Sequence, residues 1–141
     1  MKRTMKRCLA MILAMILVLV LTSCNTVKKT GVWEDADYLR DVKFGKGEKT
    51  VTIEIKAEEQ AVTFTVRTDE DTVGAALLEH GIIEGEKGPY GLYVKTVNGM
   101  TADYDVDQSY WAFYINGEYA MTGVDTTEIS ESVTYQLVYT K

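Results

Sequence analysis

The sequence predicts an α+β domain: a two-stranded hairpin, one short helix, then three or four mainly antiparallel strands. Three observations carry this expectation. Val51, Ile53 and Ile55 alternate with Thr52, Glu54 and Lys56, and Val62, Phe64 and Val66 alternate with Thr63, Thr65 and Arg67. Period-two alternation marks strands with one buried face. Val73, Ala76, Leu77 and His80 recur at helical spacing, which a strand cannot use. Asn116-Gly117 interrupts the run Tyr110 to Thr122, YWAFYINGEYAMT, and suits the two positive-φ positions of a type I′ turn.

Taken in order, the chain opens on a basic region, Lys2, Arg3, Lys6 and Arg7, followed by an apolar run from Cys8 to Leu21. Such a run is short for a membrane span and suits the hydrophobic region of a signal peptide. It ends in Leu21-Thr22-Ser23-Cys24. These four residues resemble the bacterial lipobox, a resemblance that implies lipidation of Cys24 and removal of residues 1–23. The alternative is an ordinary secretory signal with an incidental cysteine. With Cys8 removed and Cys24 lipidated, no thiol remains for a disulfide, a Cys-based metal site or a Cys nucleophile. Several acyl chains on Cys24 would hold the domain on a membrane, at its extracytoplasmic face.

The full chain carries 15 basic and 21 acidic residues. Loss of the four basic residues of the signal leaves 11 against 21, a net charge near −10. That surface repels phosphate backbones and anionic lipid, which argues against nucleic acid as a partner.

Residues 24–49 read as a tether with a partly packed segment, because Gly31, Gly45 and Gly47 punctuate it while Trp33, Tyr38 and Val42 are too apolar for a pure linker. The domain proper spans 50–141. Its first two strands meet at the polar turn Glu58-Glu59-Gln60. Asp69-Glu70-Asp71-Thr72 then supplies cap formers for a helix from Thr72 to His80. Gly81 sits at the C′ position, with Ile82 placed to fold back on the last turn. A glycine-rich passage, Gly85 to Gly91, leads into a strand over Leu92 to Val97, and Asn98-Gly99 marks a second tight turn. Asp103, Asp105 and Asp107 precede the aromatic hairpin, and Val133 to Tyr139 forms the last strand.

This order resembles the β-grasp domain at the C-terminus of transcobalamin and intrinsic factor. More closely it is similar to a bacterial family of uncharacterised transcobalamin-like C-terminal domains, often carried on lipoproteins. The matching residues are Asp71-Thr72-Val73-Gly74 with Ala76-Leu77, Gly91-Leu92-Tyr93-Val94 and Val97-Asn98-Gly99. They continue in Tyr110-Trp111-Ala112-Phe113-Tyr114, Asn116-Gly117-Glu118, Gly123-Val124-Asp125 and the final Tyr139. The chain departs from the pattern at Ser130-Glu131-Ser132, where relatives often carry an Asp-Gly-Asp turn. The resemblance implies a β-grasp-like fold and a non-catalytic module for a small molecule, with a corrinoid-like ligand as one candidate. The α/α barrel that forms most of the corrinoid site in the animal proteins is absent.

Candidate sites follow from the hairpin and the acids. A two-residue loop opposes Tyr114 to Tyr119, so Tyr110, Tyr114, Tyr119 and Met121 gather on the strand face opposite Trp111 and Phe113. One helix covers only one face of a sheet, so these residues either form an open ligand platform or lie beneath Trp33, Tyr38 or a loop. Trp111 and Phe113 are expected against Val73, Ala76 and Leu77 of the helix. Asp103, Asp105 and Asp107 at alternate positions suit a hard cation such as Ca²⁺ if they converge, and solvated surface if they do not. They do not make an EF-hand, since Gln108 stands where the loop glycine belongs. His80 sits where a helix C-terminus favours it. No nucleophile–histidine pair in motif context, phosphate-binding loop or dinucleotide fingerprint occurs, so the sequence carries no enzyme signature. The expected function is a membrane-anchored ligand-binding module whose ligand and cofactor are unspecified. A metal-binding surface domain and a protein-interaction or adhesion module are the alternatives.

Overall fold

A computed structural model describes residues 26–141. The expected signal peptide, residues 1–23, and Cys24 lie outside the described residues. After a 3₁₀ turn at Gly31–Asp35 come β1 (Val42–Gly45), β2 (Lys49–Ala57) and β3 (Gln60–Thr68). Helix α1 (Val73–Glu79) follows, then β4 (Ile83–Gly88), β5 (Gly91–Val97) and β6 (Met100–Thr101). A single helical turn, α2 (Tyr104–Asp107), precedes β7 (Tyr110–Ile115), β8 (Glu118–Tyr119) and β9 (Tyr135–Thr140). The class is α+β as expected. The strands beyond the helix number six rather than three or four, two of them only two residues long.

These strands sort into two sheets, a six-stranded one ordered β1-β3-β2-β9-β7-β8 and a three-stranded one ordered β4-β5-β6. The first hairpin strand, β2, pairs in parallel with the last strand, β9, placing Ile53 opposite Tyr135 and Ile55 opposite Leu137. Those residues, with Val51, Val62, Phe64 and Val66, are fully buried and line one face of the large sheet. Helix α1 packs on β3 and β4, and β5 faces β7.

Local chemistry explains most of the elements. Thr72 caps α1 by accepting a hydrogen bond from the Ala75 N–H at 3.2 Å. At the other end the Ile82 N–H donates to Leu77 O and the Gly81 N–H to Leu78 O, the two bonds of a Schellman closure with Gly81 at φ +64°. His80 is the C-cap residue and stacks on Phe44, with ring centroids 6.0 Å apart. Asn98-Gly99 and Asn116-Gly117 have positive φ at both residues and make two-residue hairpin loops.

Two segments carry strands that the sequence did not mark. The segment read as a tether has a few buried anchor points among mostly exposed residues. Trp33 is fully buried with its indole N–H donating to Ala57 O at 2.9 Å, Val27 is buried, and β1 joins the large sheet in parallel with β3. A four-residue strand bounded by glycine carries too little alternation to register in sequence. The glycine-rich passage contains β4, an edge strand in which only Ile83 is buried, so no period-two pattern marks it. Its ladder with β5 skips Lys95, pairing Glu84 with Thr96 and Gly85 with Val94. A Cβ on Gly85 would sit 2.2 Å from Tyr93 O, which explains glycine at the bulge.

Candidate functional site

A two-chambered groove runs between β5 of the small sheet and β7 of the large one. Its outer chamber, about 480 Å³, is lined by Tyr93 and Lys95 on β5, Asp103, Tyr104 and Asp105 in the α2 turn, and Tyr110 at the start of β7. The inner chamber, about 220 Å³, lies among Leu92, Val94, Trp111, Phe113, Tyr119, Val124 and Leu137. Tyr93 and Tyr110 line both and so stand at their junction.

The β7 alternation builds the inner wall. Trp111 and Phe113 are buried, and their rings pack on β9 neighbours: Trp111 edge-on to Tyr139 at 5.6 Å, Phe113 stacked on Tyr135 at 6.0 Å. They share this wall with Leu92 and Val94 of β5 and with Val124. Helix α1, the expected partner, has its main contacts with β3 and β4, and its start meets this wall at Val124, whose carbonyl accepts the Gly74 N–H at 2.7 Å. The buried indole Nε1 of Trp111 has no hydrogen-bond partner among the described residues. A buried donor without an acceptor is costly.

The outer wall depends on the loop before β7. Asp103 accepts the Asp105 N–H at 3.0 Å and caps the single turn of α2, which Gln108 ends in a left-handed conformation at φ +62°. Buried Ser109 ties this loop to the strand. Its hydroxyl accepts the Asp103 N–H at 3.0 Å and donates to Asp107, which also accepts the Ser109 N–H. Lys141 adds a 2.9 Å ion pair to the other oxygen of Asp107. Hydrogen bonds from Ser109, then from Lys141, hold the Asp107 carboxyl down at about 2. Lys95, within the chamber, pairs with Glu86 at 3.2 Å, and that hydrogen bond and charge raise its pKa.

The expected platform is therefore rearranged. Tyr110 lines both chambers, and Tyr119, 60% exposed, closes the inner one. Tyr114 lies directly across from Tyr119 as predicted, the rings edge-on at 5.5 Å. Met121 is 96% exposed and lines neither chamber. The Trp33 and Tyr38 segment is engaged elsewhere, Trp33 on Ala57 and Tyr38 edge-on to Phe44 and Phe64. Of the three acids, Asp103 and Asp105 share the outer chamber, while Asp107 is bound to Ser109 and Lys141. Among the described residues no group of three His, Cys, Asp or Glu side chains is placed to hold a metal ion. Sequence reasoning did not single out Tyr93, Lys95 or Tyr104. Tyr104 sits inside the acidic run, and its interleaving with Asp103 and Asp105 was the available signal.

Residues 70–136 match the model of a family described as a domain of unknown function, DUF4430. Among solved structures, the chain is similar to a "putative metal binding protein" from Ruminococcus gnavus ATCC 29149. Identity is 32% over 67% of this chain and 98% of that one, with a TM-score of 0.62. It is also similar to haptocorrin in complex with Cbi, at 14% identity over 70% of this chain, with a TM-score of 0.53. The match spans 26% of haptocorrin, and at that identity it shows a shared fold alone. No curated protein matches the sequence.

Proposed function

The chain belongs to the family of the domain of unknown function DUF4430, and from that premise we propose that it is a membrane-anchored extracytoplasmic lipoprotein. Its β-grasp-like domain is a non-catalytic module that binds a small molecule between β5 and β7. The observation that carries the reading is the two-chambered groove, where Tyr93 and Tyr110 line both a wide, tyrosine-lined mouth and an apolar recess walled by Trp111 and Phe113. Ligand sites are typically concave, mostly apolar and supplied with a few convergent polar groups. The combined volume suits a drug-sized molecule, or the edge of a larger flat one such as a corrinoid.

The anchor in this reading is lipid on Cys24. Val27 is already docked on the domain, its N–H donating to Leu39 O at 2.9 Å. Three residues of chain span at most about 10 Å, so the lipid would hold the domain close against the bilayer. A metal reading draws support from the name of the Ruminococcus gnavus relative. In this chain it would rest on Asp103 and Asp105, with Asp107 released from Lys141 and Ser109.

A thermal-shift screen of small molecules tests the proposal. Binding to the native state alone stabilises by RT ln(1 + [L]/Kd), about 2.7 kcal/mol at a hundredfold excess over Kd. A hit whose stabilisation disappears in Tyr93→Ala, at an unchanged melting temperature without ligand, supports the groove. Hits that persist undiminished in Tyr93→Ala and Tyr110→Ala would place binding elsewhere and defeat it.

A further inference from the structure

We propose that the outer chamber recognises an organic cation, a quaternary ammonium or protonated amine head group, whose apolar body enters the inner chamber. This rests on the small-molecule reading above and narrows it to one ligand class. Three tyrosines from three separate elements surround the chamber: Tyr93 of β5, Tyr104 of α2 and Tyr110 of β7. Tyr93 and Tyr104 are 42% and 57% exposed, so their rings are available to a ligand. An aromatic face carries the negative lobe of the ring quadrupole and attracts a cation within about 6 Å of its centroid.

The charges of the chamber select the same ligand. Asp103 and Asp105 line it with the tyrosines, and Lys95 is the cation among its lining residues. Lys95 is neutralised by Glu86 at 3.2 Å from outside the chamber, so the two aspartates set the sign of the local field. An anionic ligand would meet that field unfavourably. A small hard metal ion needs several oxygen ligands converging at about 2.0–2.6 Å, and no such triad of side chains exists among the described residues. A large, weakly hydrated organic cation does not need convergence. Ring faces and a diffuse negative field are enough for it.

The neighbouring recess fits the other half of such a molecule. Leu92, Val94, Phe113 and Leu137 offer an apolar wall. The inferred ligand is therefore amphiphilic, cationic at one end and apolar at the other.

The test titrates the full chain, in a neutral maltoside detergent, with choline and with its uncharged isostere 3,3-dimethylbutan-1-ol, followed by calorimetry. Choline should bind saturably and the isostere at least about tenfold more weakly, since shape is shared and charge is not. Raising the salt to molar strength should weaken choline further. Asp105→Asn and Tyr104→Leu should each weaken choline about fivefold or more without shifting the melting temperature. Asp105 is chosen because its carboxylate makes no hydrogen bond or ion pair among the described residues, whereas Asp103 caps a turn. Equal binding of choline and isostere, no binding of either, or an unchanged affinity in Asp105→Asn, would overturn the cation assignment. A parallel screen with uncharged aromatic fragments separates the two levels. If such fragments bind and Tyr93→Ala abolishes it, the groove reading stands without the cation; if nothing binds, both fall.

Discussion

Replacing Asn98 with alanine should cost about 3 kcal/mol of stability, although the residue sits in a tight turn that sequence alone would treat as replaceable surface. Asn98 is 1% exposed. Its Oδ1 accepts the Tyr38 N–H and its Nδ2 donates to the Tyr38 carbonyl, both at 2.9 Å. The side chain thus pairs with Tyr38 as a neighbouring strand would, clamping the N-terminal segment to the β5–β6 hairpin. Alanine removes both bonds, each worth about 1 kcal/mol net. It also places a residue with a Cβ and no compensating side chain at φ +50°, which costs about 1 kcal/mol more. Asn98→Gly isolates the last contribution, since glycine adopts positive φ freely but cannot make the clamp; it should lose about 2 kcal/mol. Equilibrium urea unfolding reads both as midpoint shifts at constant m. The reasoning is refuted if Asn98→Ala lies within about 1 kcal/mol of wild type, or if glycine costs more than alanine.

Phe113→Ala should cost about 3–5 kcal/mol, as truncation of a buried aromatic does, because Phe113 is buried and stacked on Tyr135; denaturant melts check it. Cys24→Ala should leave the precursor uncleaved and unlabelled by fatty acid in a metabolic labelling experiment, and normal labelling would remove the anchor from the proposal. Asp107 predicts a pH dependence. Its carboxyl titrates at about 2 in the folded chain against about 4 when unfolded, so the unfolded chain binds the proton first as pH falls. Its contribution is therefore full above about pH 4 and lost progressively down to about pH 2. The stability gap between wild type and Asp107→Asn should narrow across that window, and a constant gap would contradict the Ser109 and Lys141 assignment.

The readable features of this chain are those set within a few residues. Thr72 and Gly81 bracket α1 because a cap needs only a side-chain oxygen and a residue tolerant of positive φ. Asn116-Gly117 imposes a two-residue loop, and that loop alone sets Tyr114 opposite Tyr119. The buried faces of β2 and β3 follow from alternation against one core. The candidate site was half legible. Tyr110, Tyr119, Asp103 and Asp105 were named from sequence, but as members of two separate sites, with Tyr114 and Met121 grouped with the two tyrosines on one strand face.

By itself, then, the sequence determined the turns, the helix with its caps, the hairpin registers and the inward faces of the longer strands. Each of these is decided by local geometry or by a period the residues repeat. Only the tertiary structure decided that β2 and β9 pair in parallel, that β1 joins the large sheet in parallel with β3, and that β4 to β6 separate as a second sheet. Those choices depend on which surfaces remain uncovered once every strand competes for partners, and short edge strands carry no period to announce them. The groove follows from the same competition. Tyr93, Tyr104 and Tyr110 lie on three elements with no shared pattern, and they meet because the small sheet docks against β7, leaving a gap that neither segment encodes alone.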